Sequence, residues 1–75
     1  MKFIELSGAT LRKVVIVGEL TEDDLHASGV EEHSILRVNE QGDIELRRHD
    51  RWDLIGGLIG DFEGRVKTAT GLDWS

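Results

Sequence analysis

Three histidines are the side chains of this sequence that could most readily ligate a metal ion. His33 and His49 flank a predicted β-hairpin, and acidic residues stand beside them at Glu31, Glu32 and Asp50. Two imidazoles and a carboxylate could bind zinc. No closely spaced ligand motif accompanies them, so we expect solvated histidines, with no metal and no cofactor. A weak metal site at His33 and His49 is the less favoured interpretation.

Catalysis would need a carboxylate, a histidine or a serine held beside a group that shifts its pKa. Helix caps, turns and solvent-facing positions account for the acidic side chains of this chain. None of the four serines stands in a nucleophile-elbow motif. A chain of 75 residues also has little volume for a walled substrate cleft. We therefore expect no catalytic residues and no enzymatic activity.

A basic cluster of Arg47, Arg48 and Arg51 could contact nucleic-acid phosphates. The chain as a whole carries 15 acidic and 9 basic side chains, with a formal charge of −6, which disfavours general nucleic-acid binding. A small nucleic-acid-associated regulator that uses these arginines is therefore the alternative function. Residues 19–32 contain acidic side chains and no lysine or arginine. This acidic segment could meet the cluster within one molecule or between two, or both could simply be solvated.

Four glycines, Gly56, Gly57, Gly60 and Gly64, interrupt a segment that otherwise has the pattern of an amphipathic helix over residues 52–70. Each glycine inside a helix costs about 1 kcal/mol relative to alanine, so four cost roughly 3–4 kcal/mol. A second backbone that approaches closely could offset this cost. The leading hypothesis is therefore a non-enzymatic protein-interaction domain that self-associates, as a possible homodimer, or binds a protein partner through these glycines. Packing of the same helix under its own chain, or a break near the paired glycines, is the other interpretation.

Length and composition predict one small domain, residues 1–75, without disulfides, because the chain has no cysteine. No long apolar stretch follows the first residues, so we expect no signal peptide. No apolar run approaches the roughly 18 residues that cross a membrane. We therefore expect a cytoplasmic protein that does not enter membranes.

The first half of the chain predicts two strands and a helix. Residues 2–6 form a strand candidate, and residues 11–17 form a second because four β-branched side chains follow one another there. A helix that begins at Thr10 is the competing interpretation. A short helix over 22–28 follows, with Thr21 as its N-cap and an acidic partner three residues later.

The second half predicts a β-hairpin of strands 34–39 and 43–48, because a three-residue loop that ends in glycine is a common hairpin connection. Its register pairs Val38 with Ile44, Arg37 with Glu45, and Leu36 with Leu46. This register places the four aliphatic residues on one face, with the Arg37–Glu45 pair on the other.

A long final helix is predicted from Trp52 to about Thr70, with Asp50 as a possible N-cap and Gly71 at its end. The predicted fold is therefore α+β in the order ββαββα. In this fold, the long C-terminal helix packs across a small, mostly antiparallel sheet.

Overall fold

The computed structural model describes residues 2–16 and 18–74 as an α+β domain with a four-stranded sheet. Its elements are β1 (Phe3–Ser7), α1 (Gly8–Val14), α2 (Glu22–Ala27), β2 (Ile35–Asn39), β3 (Asp43–Arg48), β4 (Arg51–Gly57) and α3 (Phe62–Thr70). The element order is therefore βααβββα, and the predicted order ββαββα is wrong. No helix within the described ranges is long and apolar enough to cross a bilayer.

The sheet has the order β1-β2-β3-β4, and each strand is antiparallel to its neighbours. The β2–β3 hairpin has the predicted register, which pairs Val38 with Ile44, Arg37 with Glu45, and Leu36 with Leu46. Gly42 occupies the left-handed position of the turn, with φ of 90°. The prediction of this hairpin is confirmed, because turn chemistry and alternation specify the same register.

The predicted strand over residues 11–17 is wrong, because α1 occupies Gly8–Val14. The Ser7 side chain accepts a hydrogen bond from the Thr10 amide and caps the helix, while Leu11 and Val14 are buried one turn apart. The β-branched run begins only at the last residue of α1, and Val15 is already extended. Val17, the final residue of the predicted strand, lies outside the described residues.

The α2 helix forms as predicted, over Glu22–Ala27. The Asp24 amide donates to the Thr21 hydroxyl, and the Asp24 carboxylate accepts from the Thr21 amide, which completes a capping box. The hydrogen bond from the Thr21 backbone, and then that from its side chain, hold the pKa of Asp24 below its ordinary value. Gly29, with φ of 82°, follows the helix.

The long predicted helix from 52 to 70 is wrong in its first half. Residues Arg51–Gly57 form β4, and only the nine residues of α3 are helical. Paired glycines oppose a helix, whereas Trp52 and Leu54 alternate with Asp53 as in a strand. Asp50 therefore lies in the turn before β4 rather than at a helix N-cap. Gly71, with φ of 72°, ends α3 as predicted.

A β-bulge adapts β4 to β3. Ile44 pairs with Gly56 while Glu45 pairs with Leu54, so Ile55 is an extra residue on β4. The bulge leaves Ile55 packed against the core. It therefore changes the alternation of the strand halfway along β4.

One hydrophobic core lies between the sheet and the helices. It contains strand, helix and loop side chains, namely Ile4, Leu6, Leu11, Val14, Leu25, Val30, Leu36, Val38, Ile44, Leu46, Leu58, Val66 and Trp74. Trp74 closes one end of this core, because its indole N–H donates to the Val38 carbonyl at 3.0 Å. Its ring meets Phe62 edge to face, with centroids 6.2 Å apart.

An ion pair between Glu19 and Arg65 joins the connection after α1 to α3. The Glu19 side chain is fully buried, and its oxygens accept from Arg65 at 2.7 and 3.0 Å. They also accept from the backbone amides of Ile16 and Ile59, at 2.9 and 2.8 Å. Burial raises the pKa of Glu19, but the hydrogen bonds from Arg65 and the two amides outweigh it and leave this pKa below its ordinary value.

Candidate protein-interaction surface

The four glycines predicted to bind a partner do not share one helix face. Gly56 and Gly57 lie in β4, Gly60 lies in the following loop with φ of 65°, and Gly64 lies in α3. At Gly56 an added Cβ would lie 3.0 Å from the Leu20 side chain, which accounts for glycine there. At Gly60 and Gly64 an added Cβ would meet no atom within 4 Å. Gly60 and Gly64 are therefore open to another molecule, and so is exposed Gly57, where an added Cβ would lie 3.8 Å from the Gly42 carbonyl oxygen.

The three clustered arginines also point to different places. Arg48 donates to the Asp53 carboxylate and to the Ser28 carbonyl, each at 2.6 Å, so its charge is engaged within the chain. Arg47 donates to a backbone carbonyl at 3.2 Å. Arg51 is exposed and belongs to no ion pair within the described part of the chain. The basic patch available to phosphates is consequently smaller than the sequence predicts.

The histidines do not assemble a metal centre. His33 lies in the loop before β2, and His49 lies in the turn between β3 and β4 with φ of 51°. Neither belongs to a strand, so the sheet ladder does not pair them. Among residues 2–16 and 18–74, no three potential metal ligands cluster together.

One face of the sheet packs on the helices, and the opposite face does not. The residues that alternate with the buried core positions form this second surface, which we call the open face: Phe3, Glu5, Ile35, Arg37, Asp43, Glu45, Arg47, Trp52 and Leu54. Its aliphatic members are well exposed, Ile35 at 55% and Leu54 at 63%. Exposed aliphatic side chains that stand beside aromatic and charged ones on one surface indicate an interaction site.

A guanidinium stack crosses the open face from β1 to β4. The guanidinium carbon of Arg37 lies 3.7 Å from the Phe3 ring centroid and 4.2 Å from that of Trp52. Glu45 holds Arg37 through a hydrogen bond of 2.9 Å, and the Arg47 guanidinium lies 5.5 Å from the Trp52 centroid. Each contact of this type contributes about 0.5–1 kcal/mol at exposed sites. The stack therefore fixes long side chains in place before any partner arrives.

The charges of the open face nearly cancel, because two arginines stand beside three carboxylates. Arg37 and Glu45 form an ion pair, while Glu5 and Arg47 belong to none of the ion pairs found among the described residues. Most of the formal charge of −6 is therefore carried by the rest of the chain. Glu5 and Arg47 carry unpaired charges of opposite sign at separate positions of the face, while the Asp43 carboxylate accepts a hydrogen bond from the Asn39 side chain at 3.1 Å.

Two solvent-open hollows lie on the β1 side of this face. One, of 530 Å³, lies between Phe3, Glu5 and Leu72. The other, of 280 Å³, lies between Glu5, His33 and Ile35. Glu5 borders both hollows. Their openness fits side chains projecting from another protein better than an enclosed small molecule.

The sequence predicts part of this surface, because the hairpin register places Arg37 and Glu45 on the side away from the core. It misses Trp52 and Leu54, because their segment is assigned to a helix. Trp52, Asp53 and Leu54 alternate between apolar and polar side chains, and turn-forming residues stand on both sides of them. This pattern indicates a strand.

The chain matches no protein-family model, no curated protein and no solved structure. The geometry of the open face therefore carries the functional argument.

Proposed function

We propose that this chain is a non-enzymatic protein-interaction domain and that the open face is its binding surface. The observation that carries the proposal is the Phe3–Arg37–Trp52 stack, flanked by exposed Ile35 and Leu54. Tryptophan and arginine are enriched among residues that dominate binding energy at protein interfaces. The stack also restricts their rotamers, which reduces the entropy lost on binding.

We therefore keep the protein-interaction domain predicted from the sequence, but we propose the open face, rather than the four glycines, as its main binding surface. Gly60 and Gly64 are open to solvent and stay secondary candidates for contact. Gly56 has an intrachain reason to be glycine. We also propose a cytoplasmic location, because a chain without cysteine needs no oxidising compartment.

The guanidinium groups that already contact the Trp52 ring favour a protein partner over nucleic acid. Single-stranded nucleic acids bind by stacking bases on aromatic rings along a positive groove. At Trp52, a base would compete with the guanidinium groups of Arg37 and Arg47. The alternative of a nucleic-acid regulator retains exposed Arg51 and Arg47, and it predicts binding that weakens steeply as salt rises.

Site-specific photocrosslinking in cells tests this function. A photoreactive residue replaces Leu54 on the open face, and the matched control replaces Ile59, which is similarly exposed at 58% but lies outside the sheet. We expect a discrete protein adduct from position 54 and none of the same mass from position 59. Equal adducts from both positions, or none from position 54, would contradict the proposed surface.

A further inference from the structure

We infer that the partner on the open face is a second copy of this chain, packed sheet against sheet about a two-fold axis. In this dimer, Glu5 of each copy meets Arg47 of the other. The inference rests on the proposed function and adds the identity of the partner. It is carried by the positions of charged and aromatic residues across the four strands.

The sheet register fixes those positions. Glu5 lies opposite Arg37, and Arg37 lies opposite Glu45, so these three form one row across β1, β2 and β3. Arg47 lies two residues further along β3. With strands roughly 4.8 Å apart and roughly 6.8 Å between alternate residues, Glu5 and Arg47 lie roughly 12 Å apart on the face.

A two-fold interface is self-complementary, because each contact occurs twice with the partners exchanged. We place the axis in the plane of the interface, midway between Glu5 and Arg47 and perpendicular to the line that joins them. This choice sets Glu5 of each copy on Arg47 of the other. The position of the second copy within the plane is then fixed, so the sheet register determines every other pairing between the copies.

The same axis brings two more complementary pairs together. Trp52 lies beside Arg47 on β4, and Phe3 lies two residues before Glu5 on β1. On ideal strand spacings, Trp52 of one copy falls within roughly 3 Å of the Phe3 position of the other. Arg37 falls within roughly 3 Å of the partner's Glu45 position by the same construction. The axis chosen for the Glu5–Arg47 pair thus also matches one further charge pair and one aromatic pair, and it sets the two Asp43 positions near each other at the rim of the interface.

The unpaired charges favour a second copy over a partner of one sign. An acidic surface would oppose Glu5, and a basic surface would oppose Arg47. A second copy places each beside its opposite. The copies also repel through the net charge of −6, which opposes the association.

The size of the face predicts weak association. Four strands at about 4.8 Å span about 19 Å, and six residues span about 20 Å, so the flat area is about 400 Å² per copy. Two copies bury about 800 Å² on this measure, below the roughly 1,200–2,000 Å² of stable complexes. We therefore expect a dimer that populates only at high protein concentration.

Sedimentation velocity on the full chain, from about 10 μM to about 1 mM at 0.15 M salt, tests the inference. We expect a monomer–dimer equilibrium in the native chain. Glu5→Arg and Arg47→Glu should each weaken it about tenfold, because each variant places like charges together twice. An equimolar mixture of the two variants should recover dimerisation, since in the mixed dimer both contacts are again opposite in charge.

Controls separate the surface from general effects of charge. Glu63→Arg on α3 makes the same change of net charge on the helix side and, because it reduces the repulsion between copies, should not weaken dimerisation. Leu54→Asp keeps Glu5 and Arg47 and should weaken the dimer, because it places an unpaired carboxylate in the β4 side of the interface. Circular dichroism checks that each variant is folded. Glu63 and Leu54 take no part in the Glu5–Arg47 pairs, so their variants leave these pairs intact.

A native chain that stays monomeric at about 1 mM would overturn the inference, as would a mixture that associates no better than its components. A crosslink from position 54 to a different protein, with a monomeric native chain, would overturn the second copy as partner while supporting the proposed function. Absence of both crosslink and dimer would overturn both.

Discussion

Replacement of Glu19 by alanine removes a carboxylate that ties three segments together. Its oxygens accept from the Ile16 and Ile59 amides and from two nitrogens of Arg65, and its side chain is fully buried. Alanine leaves those donors without their acceptor in the protein, although Ile16 and Ile59 lie at the surface. The Arg65 guanidinium also loses the partner that neutralises its charge, although it retains the Val14 and Ile59 carbonyls.

The expected loss of stability is large for a domain of this size. Removal of one partner from a buried ion pair costs about 3–5 kcal/mol. The Arg65 side chain is 25% exposed, so water partly solvates it and the lower end, about 3 kcal/mol, applies. At about 0.05–0.15 kcal/mol per residue, a 75-residue domain has roughly 4–11 kcal/mol in total.

Urea unfolding measured by circular dichroism provides the assay. With a denaturant slope of about 1 kcal/mol per molar, Glu19→Ala should lower the midpoint by about 3 M. The matched control is Glu22→Ala, because Glu22 also pairs with an arginine, Arg12, but is 71% exposed. Exposed pairs contribute about 0.2–1 kcal/mol. Equal losses in the two variants would refute the assignment of the Glu19–Arg65 pair as a buried tie.

Two further predictions concern pH and glycine. The folded-state pKa of Glu19 lies below its ordinary value of 4.5, so its contribution to stability is present above about pH 4.5 and is lost as pH falls through the folded-state pKa. Glu19→Gln should therefore reduce the fall in melting temperature on the acid side of a plot against pH. An unchanged fall would contradict this assignment. Gly64→Ala should raise the free energy of unfolding by up to about 1 kcal/mol, because space is open there. Gly8→Ala should lower it by about 2 kcal/mol or more, since a Cβ would lie 1.9 Å from the Glu31 carbonyl oxygen; thermal melts that rank the two variants the other way would contradict both assignments.

The sequence predicts the elements whose local signals agree with one another. In the β2–β3 hairpin, the glycine turn, the alternation and the Arg37–Glu45 pair all favour one register, and the structure has it. In α2, the Thr21 cap and the Gly29 terminator bound the helix from both ends. Agreement between independent signals is what makes a local prediction reliable.

The remaining elements depend on contacts that no local pattern contains. The strand β4 gains its pairing from β3, and Gly56 lies close to the Leu20 side chain, both of which are tertiary effects. Likewise, α1 follows Ser7 directly because Gly8 lets the Glu31 carbonyl come close. The helical cost of roughly 3–4 kcal/mol computed for four glycines is avoided, because only one of them lies in a helix.

The residues of the candidate site divide in the same way, into those that local patterns place and those that depend on tertiary contacts. Arg37 and Glu45 are placed on the outward side by a correct hairpin register. Phe3 follows from the first strand, but its contact with Arg37 requires two elements that are distant in sequence. Trp52 and Leu54 join the site only once β4 is a strand. An error of secondary structure thus removes the whole contribution of β4 to the open face.

The strand order has a consequence for how the chain folds. Strands β2, β3 and β4 are consecutive and are joined by turns of three and two residues, so they can pair within about 1–10 μs per hairpin. Strand β1 must instead close a loop that contains two helices before it meets β2. We therefore expect the three-stranded meander to form the folding nucleus, with β1 and α1 adding afterwards. Destabilisation within β3 then slows folding, whereas destabilisation of β1 chiefly accelerates unfolding.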